Sequence, residues 1–177
     1  MSIEKKNPVL VNSFAMEVDG LLWQPGQVGK EECNRTFKGA WSSLGEKPFF
    51  NISAYRDAKG RTDADSENVL EIQVMNVRET GEYKLTGSYL ESFKSYALFK
   101  ITKQDGSSGM YSNKHDISSF TVSFEQFISR PGTNLKGVKG AFYGTLYNEK
   151  DPLDSIVIKR GAFVFKKTNE YNFRQCE

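Results

Sequence analysis

The feature that most constrains the fold is a two-residue alternation of apolar and polar side chains. Phe120, Val122 and Phe124 are separated by single polar residues, and residues 50–55 and 69–74 repeat the pattern. A strand that buries one face of an antiparallel sheet has this period. Further predicted strands lie at residues 13–18, 81–85, 96–102, 138–147, 155–158 and 162–166.

Turn-forming residues separate these segments, for example Asp19-Gly20 and the polar stretch at residues 104–109. Roughly nine or ten short strands in one unit predict an all-β domain. We expect an antiparallel β-sandwich, with an up-and-down, lipocalin-like β-barrel as the alternative. The one helical candidate is a short turn at residues 88–96, with Ser88 as its cap. The domain is placed at residues 12–177, after a flexible N-terminal tether at residues 1–11.

A short internal echo supports strand pairing near the end of the chain. The tripeptide Gly-Ala-Phe occurs at residues 140–142 and again at residues 161–163. This spacing suits neighbouring strands, and glycines inside strands mark bulges or close backbone approach. The echo therefore predicts strand packing.

Charge and hydropathy narrow the classes of partner. The chain has 24 basic and 22 acidic residues, a net charge of +2, and no basic block. Proteins that bind nucleic acid regardless of its sequence contact the phosphates through clustered lysine and arginine residues. The sequence has no such cluster, so no nucleic-acid partner is expected. No apolar run approaches the ~20 residues that span a bilayer. The polar N-terminus lacks the apolar core of a secretory signal peptide.

Catalytic motifs are equally scarce. The only histidine is His115, and no serine lies in a nucleophile-elbow motif. Histidine-based metal chemistry and cofactor binding are not expected, because neither zinc-ligand spacing nor a phosphate-binding glycine loop is present. A pair of carboxylates for glycoside hydrolysis leaves no trace in a sequence, so a glycan hydrolase stays an alternative.

An acidic segment gives a weak calcium candidate. Asp63, Asp65 and Glu67 are spaced like the start of a calcium-binding loop. However, Asn68 stands where such a loop needs glycine, and Val74 stands where it needs a bidentate carboxylate. We interpret the segment as an ordinary charged loop, and expect no metal.

Cys33 and Cys176 are the only cysteines, one near each end of the chain. A bond between them would close a long loop and constrain the unfolded chain. Two unpaired thiols are the alternative, and the sequence does not decide between them.

Four aromatic residues are candidates for a ligand-binding face: Trp23, Trp41, Tyr111 and Tyr143. Tyrosine and tryptophan are common at recognition surfaces because they combine a large apolar area with a polar group. For the two tryptophans, core packing is the favoured interpretation. Tyr143 alternates with the apolar residues of its strand and is expected to face solvent.

Several segments resemble small cell-envelope lipoproteins of Bacteroidota, families to which no activity is assigned. Residues 12–23 (NSFAMEVDGLLW) are similar to their opening pattern F-x-A/M-x-V-D/N-G-x-x-W. Residues 72–85 resemble their I-x-V…G-x-Y-x-L element. Residues 136–142 and 156–163 resemble their paired V-x-G-x-F and V-x-I-x-x-G-x-F strands. The resemblance spans residues 12–166. It implies a cell-envelope location and an all-β domain, and it identifies no catalytic residues.

The resemblance departs from the family at the N-terminus, where the signal peptide and lipidated cysteine are absent. Residues 2–8 would then be the tether between lipid and domain, and any membrane contact would run through an anchor outside this chain. We expect a non-enzymatic binding module of the cell envelope, either an outer-membrane lipoprotein or periplasmic, that binds an unknown protein or carbohydrate. The functional alternatives are the glycan hydrolase and a lipocalin-like small-molecule carrier. The alternative location is the cytoplasm.

Overall fold

The computed structural model describes residues 12–25, 36–56, 68–102, 108–114 and 117–169. These residues form β-strands joined by turns and loops, and no helix occurs among them. All strand pairs are antiparallel, which confirms the predicted all-β antiparallel class. The strands are β1 (Ser13–Val18), β2 (Leu21–Trp23), β3 (Phe37–Leu44), β4 (Lys47–Arg56), β5 (Asn68–Val74), β6 (Gly81–Lys84), β7 (Tyr96–Thr102), β8 (Ser108–Ser112), β9 (Phe120–Ile128), β10 (Gly137–Asn148) and β11 (Ser155–Phe165).

The strands belong to one strongly curled sheet, a half-barrel, whose order is β2-β1-β11-β10-β8-β7-β5-β4-β3. The long strand β10 is the branch point. Along most of its length it pairs with β9, which in turn pairs with β6. Near its end, Tyr147 and Asn148 pair instead with β8. The two arms of the sheet therefore diverge from β10 and curl toward each other.

Aromatic rings fill the space between the arms. Phe50 on β4 lies 5.7 Å from Phe124 on β9 and 6.1 Å from Phe165 on β11, measured between ring centroids. Phe37 on β3 also contacts Phe165. These rings are almost completely buried, and burial of large apolar side chains is the main source of stability in such a fold.

The repeated Gly-Ala-Phe tripeptides form a reciprocal pair, as the sequence predicts. Ala141 pairs with Ala162, which sets Gly140 opposite Phe163 and Phe142 opposite Gly161. Each phenylalanine ring therefore packs over the glycine of the other tripeptide. A side chain at either glycine would collide with that ring.

Local turns confirm one prediction. Val18 pairs with Leu21 across Asp19-Gly20, whose positive φ angles of 49° and 82° suit a two-residue hairpin. The predicted strands at residues 155–158 and 162–166 are wrong as separate elements. Both belong to β11, because the polar residues between them form a bulge, with Arg160 at a φ of 50°.

The predicted helical turn at residues 88–96 is also wrong. The Glu91 amide donates to the Ser88 carbonyl, and the Gly87 amide donates to the Ser95 carbonyl, so the segment is a closed loop. Phe93 has a φ of 55°, which a right-handed helix does not allow. Strands β3 and β8 were missed by the sequence reasoning. Within the described ranges, no helix is long and apolar enough to cross a bilayer.

Candidate ligand-binding cleft

A cleft of about 380 Å³ opens beside Trp41. Strand β3 provides Trp41 and Ser42, strand β9 provides Phe127, and the loop between β9 and β10 forms the opposite side. The cleft is therefore built where the edge of one arm of the sheet meets the other arm. Its lining residues are Trp41, Ser42, Pro48, Val77, Arg78, Phe127, Asn134, Leu135 and Lys136.

Three contacts hold the Trp41 indole in place. Its Nε1 donates a 2.9 Å hydrogen bond to the Lys136 carbonyl. Its ring lies edge-to-face with Phe50 at 4.9 Å and with Phe127 at 5.8 Å between centroids. The side chain stays half-buried. A fixed, partly exposed ring loses little conformational entropy when a ligand packs on it.

The residues after β11 anchor both sides of the cleft. The Thr168 hydroxyl donates to the Lys136 carbonyl at 3.1 Å, so this carbonyl accepts two hydrogen bonds. The Asn169 amide group pairs with the backbone of Trp41, and the Asn169 backbone N–H donates to the Gly39 carbonyl. The segment thereby ties the β9–β10 loop to strand β3.

Arg78 supplies a fixed positive charge. Its Nε donates to the Asn76 side-chain oxygen at 2.9 Å, and its Nη2 donates to the Glu46 carbonyl at 3.1 Å. Among the described residues, Nη1 has no partner. A guanidinium held through part of its donor set keeps the remaining donors in a defined geometry for a planar anion.

A second cleft, of about 490 Å³, lies beside the first at the β9–β10 loop. It is lined by Ser129, Arg130, Thr133, Asn134 and Lys136, so the two clefts share Asn134 and Lys136. The Lys136 ammonium lies 5.8 Å from the centroid of the Phe127 ring. The described lining of both clefts contains three cations and no carboxylate.

The other predicted aromatic residues lie elsewhere. Trp23 belongs to the core, where it contacts Phe99 at 5.5 Å, and its buried Nε1 has no acceptor among the described residues. Tyr143 projects from β10 and is half exposed, on the outer face of the sheet. The four candidates are therefore not brought together, and Trp41 alone lines the cleft.

Tyr111 is buried and belongs to a polar cluster at the end of β10. Its hydroxyl donates to Asp154 at 2.7 Å, and the Asn148 amide donates to the same carboxylate oxygen at 2.9 Å. Burial, followed by the bond to Asp154, raises the pKa of Tyr111. The cluster fixes the turn between β10 and β11, which is a structural role.

A neighbouring pair at the same end of the molecule was not found from the sequence. The Tyr89 hydroxyl donates to Glu149 at 2.5 Å, and the Ser112 hydroxyl donates to the other oxygen of that carboxylate at 2.8 Å. The hydrogen bond to Glu149 is the main reason that the pKa of Tyr89 rises to about 12. Both carboxylate oxygens are thus engaged by hydroxyl groups of the protein.

Two predicted sites fall outside the described residues. They are the calcium candidate (Asp63, Asp65 and Glu67) and the disulfide candidate (Cys33 and Cys176). His115, to which the sequence assigns no role, also lies outside the described residues. In the part of the chain that the structure describes, no group of three or more His, Cys, Asp or Glu side chains is placed to hold a metal ion.

The cleft residues Arg78, Phe127 and Lys136 were missed because nothing in the sequence links them to Trp41. They are separated from it by 37 to 95 positions, on different strands and loops. Only the pairing of the two arms of the sheet brings them together. A lone arginine in a loop carries no signal of its own.

The sequence matches a family of proteins over residues 11–166, described as a domain of unknown function (DUF5025). The chain belongs to this family. The match covers every described strand, including β3, β4 and β9, which line the cleft. No curated protein and no solved structure has significant similarity to the chain.

Proposed function

We propose that this DUF5025 protein is a non-enzymatic binding module of the cell envelope and that it binds its ligand in the Trp41 cleft. The observation that carries the proposal is the half-buried Trp41 ring, fixed by its own indole hydrogen bond beside two cationic side chains. Concave sites that combine apolar walls with a few placed polar groups are typical of ligand binding.

The chemistry of the lining favours binding over catalysis. Aromatic, aliphatic, amide and cationic groups surround the cleft, and none of the described lining residues is Asp, Glu, His or Cys. General acid–base catalysis near neutral pH relies mostly on such groups. The lining therefore suits recognition of a ligand that leaves unchanged.

A third cleft, of about 350 Å³, is a weaker site. It lies in the closed loop before β7, where Glu91 stands among Lys84 and Lys94. Phe93, at a positive φ, is the only aromatic residue of its described lining. This cleft offers mixed charges and no ring fixed by a hydrogen bond, so we place the ligand at Trp41.

The cell-envelope location rests on the resemblance to Bacteroidota lipoproteins in residues 12–23, 72–85, 136–142 and 156–163. In this proposal a lipidated cysteine precedes the tether in the full-length product. Fractionation of cells that express the full-length gene, combined with metabolic labelling by a fatty-acid analogue, tests it. Labelled protein in the membrane fraction supports the proposal, and unlabelled cytoplasmic protein refutes it.

The binding proposal is tested by screening the purified protein against arrays of immobilised glycans and peptides. Hits are then measured by titration of the intrinsic tryptophan fluorescence. Leu135→Ser removes an exposed apolar group of the cleft, and Tyr143→Ser removes an exposed aromatic group that does not line it. We expect Leu135→Ser to weaken binding and Tyr143→Ser to leave it unchanged. Equal affinities for both variants and the native protein would place the ligand elsewhere.

A further inference from the structure

We propose that the ligand of the Trp41 cleft is an acidic oligosaccharide. One sugar ring packs against Trp41, and ring carboxylates pair with Arg78 and Lys136. The inference rests on the proposed function, because it specifies what the same cleft binds. Its observations are the positive charge of the lining, the hydrogen bond that occupies the Trp41 indole N–H, and the hydrogen bonds that occupy the backbone of the adjacent edge strand β3.

Charge is the first argument. The two neighbouring clefts present Arg78, Arg130 and Lys136, and their described lining has no acidic side chain. The chain as a whole is nearly balanced, with 24 basic and 22 acidic residues, so this segregation is local. A ligand that enters the cleft displaces water from these cations, and an uncharged ligand would leave them without compensation. The occupant therefore carries anionic groups.

The spacing of the cations favours repeated anionic groups. Arg78 lines the first cleft, Arg130 lines the second, and Lys136 lines both. A ligand long enough to occupy both clefts meets a cation in each of them. A polymer with one carboxylate on each ring matches this arrangement, whereas a small inorganic anion would engage only one end.

The state of the Trp41 indole indicates a ring. Its only polar group, Nε1, already donates to the Lys136 carbonyl. The exposed part of the side chain therefore offers a ligand aromatic carbon surface and no free hydrogen-bond donor. The face of an aromatic ring is electronegative and attracts the electropositive C–H groups of an apolar surface, such as one face of a sugar ring.

The sheet edge argues against an extended peptide. A peptide that binds as an added strand needs free backbone groups along an edge strand. On β3, the Gly39 carbonyl and both the N–H and the carbonyl of Trp41 are hydrogen-bonded to Asn169. Strand addition is blocked at the residue that forms the aromatic wall, so recognition depends on side chains.

Arg78 is prepared for a carboxylate. Two of its donors are held by Asn76 and by the Glu46 carbonyl, and Nη1 has no partner within the described residues. A planar guanidinium fixed in this way loses little freedom when it binds a planar carboxylate. Lysine at the same position would keep the charge but lose the planar set of N–H donors that can bind a carboxylate through two hydrogen bonds.

The experiment compares three probes by isothermal titration calorimetry with the native protein. The probes are a short oligomer of galacturonate, its fully methyl-esterified form of equal length, and an acidic peptide of similar charge. We expect the galacturonate oligomer to bind, and the ester and the peptide to bind at least about tenfold more weakly, since one charged hydrogen bond alone is worth about that factor.

Variants assign the binding to the cleft. Arg78→Met, at an exposed position, should weaken galacturonate binding by about tenfold or more, and Arg78→Lys by less. Lys139→Met removes an exposed charge from β10 outside the cleft and should leave the affinity unchanged. Added salt should weaken the native complex, because the pairs are partly exposed to solvent.

The outcomes separate the two proposals. If the ester binds as well as the acid, and Leu135→Ser weakens both, the cleft is a binding site but the acidic-sugar inference fails. Tighter binding of the acidic peptide also overturns the inference alone. If galacturonate binds and neither Arg78→Met nor Leu135→Ser changes its affinity, both the inference and the Trp41 site are refuted.

Discussion

Asn169 pairs with the backbone of Trp41 as though it were a neighbouring strand. The Trp41 N–H donates to the Asn169 side-chain oxygen at 2.9 Å, and the Asn169 amide nitrogen donates to the Trp41 carbonyl at 2.8 Å. One side chain thereby satisfies both backbone groups of an edge residue. Unpaired edge strands invite pairing with other chains, so this contact protects the edge beside the cleft.

Asn169→Ala should lower the free energy of unfolding by about 1–2 kcal/mol, because two hydrogen bonds are lost. Asn169 has a φ of 66°, which glycine also adopts, so Asn169→Gly isolates the side-chain contribution from backbone strain. Urea unfolding of both variants is the measurement. Asn134→Ala, an exposed asparagine of the cleft, is the control. An unchanged midpoint for Asn169→Gly would show that the pairing adds no stability.

The Gly-Ala-Phe pair gives a second prediction. A Cβ on Gly140 would lie 2.2 Å from the Ser123 carbonyl and 2.5 Å from the Phe163 ring. Because one of these neighbours is backbone, Gly140→Ala should destabilise the protein by about 3 kcal/mol or more. Thermal unfolding measures the effect. Ala162→Ser, at an exposed position of the partner strand, should change the melting temperature little. A similar small effect of Gly140→Ala would mean that the strands separate easily there.

The sequence predicts strands such as β1 and β7 well, because one face of the strand is buried and the opposite face is partly exposed to solvent. β1 and β7 have the predicted bounds, and the Gly-Ala-Phe echo predicts that β10 and β11 pair. The prediction of strands and helices fails where local backbone geometry interrupts the alternation of apolar and polar residues. The bulge at Arg160 looks like a strand end, and the loop closed at Gly87 has aromatic residues at helical spacing. In both cases the deciding contacts are distant or depend on a positive φ.

The candidate site was predicted only in part. Trp41 is one of the four aromatic residues that the sequence proposes for a binding face. Trp23 and Tyr111 were proposed on the same grounds, as tryptophan and tyrosine, but they are buried. What separates them is the curl of the sheet, which leaves the end of β3 at the surface. Arg78 and Lys136 become meaningful only beside Trp41, and this proximity depends on pairings across the whole chain.

Glu71 gives a prediction about pH. It is half-buried on β5, between Ser53 on β4 and Leu98 on β7, and burial raises the pKa of its carboxyl group above 4.5. The folded state therefore binds this proton more tightly than the unfolded state. The associated stabilisation is present below pH 4.5 and is lost as the pH rises through the raised pKa.

Glu71→Gln removes the charge that is costly to bury and keeps the size of the side chain. At neutral pH we expect a higher melting temperature than for the native protein, and a difference that shrinks as the solution is acidified. The pKa of Tyr96, raised by burial and then by the charge of Glu71, should fall in the same variant. Glu125→Gln, on an exposed part of β9, is the matched control. A lower melting temperature for Glu71→Gln at neutral pH contradicts the prediction.

The Tyr89–Glu149 pair gives the last prediction. The hydroxyl donates to the carboxylate only while it is protonated, and this bond is the main cause that raises the pKa of Tyr89 to about 12. Because the folded pKa lies above the unfolded value of 10.0, the stabilisation is complete below pH 10. It is lost as the pH rises through about 12.

Glu149→Gln should lower the pKa of Tyr89 toward 10.0, since an amide accepts a weaker hydrogen bond than a carboxylate and carries no charge. The ultraviolet absorbance of the phenolate measures the titration, and subtraction of the Tyr89→Phe curve isolates this residue. Glu82→Gln, on the edge strand β6, is the control and should leave the curve unchanged. A Tyr89 pKa that stays near 12 in Glu149→Gln would assign the shift to burial instead. The tie between the loop before β7 and the end of β10 would then be packing rather than a hydrogen bond.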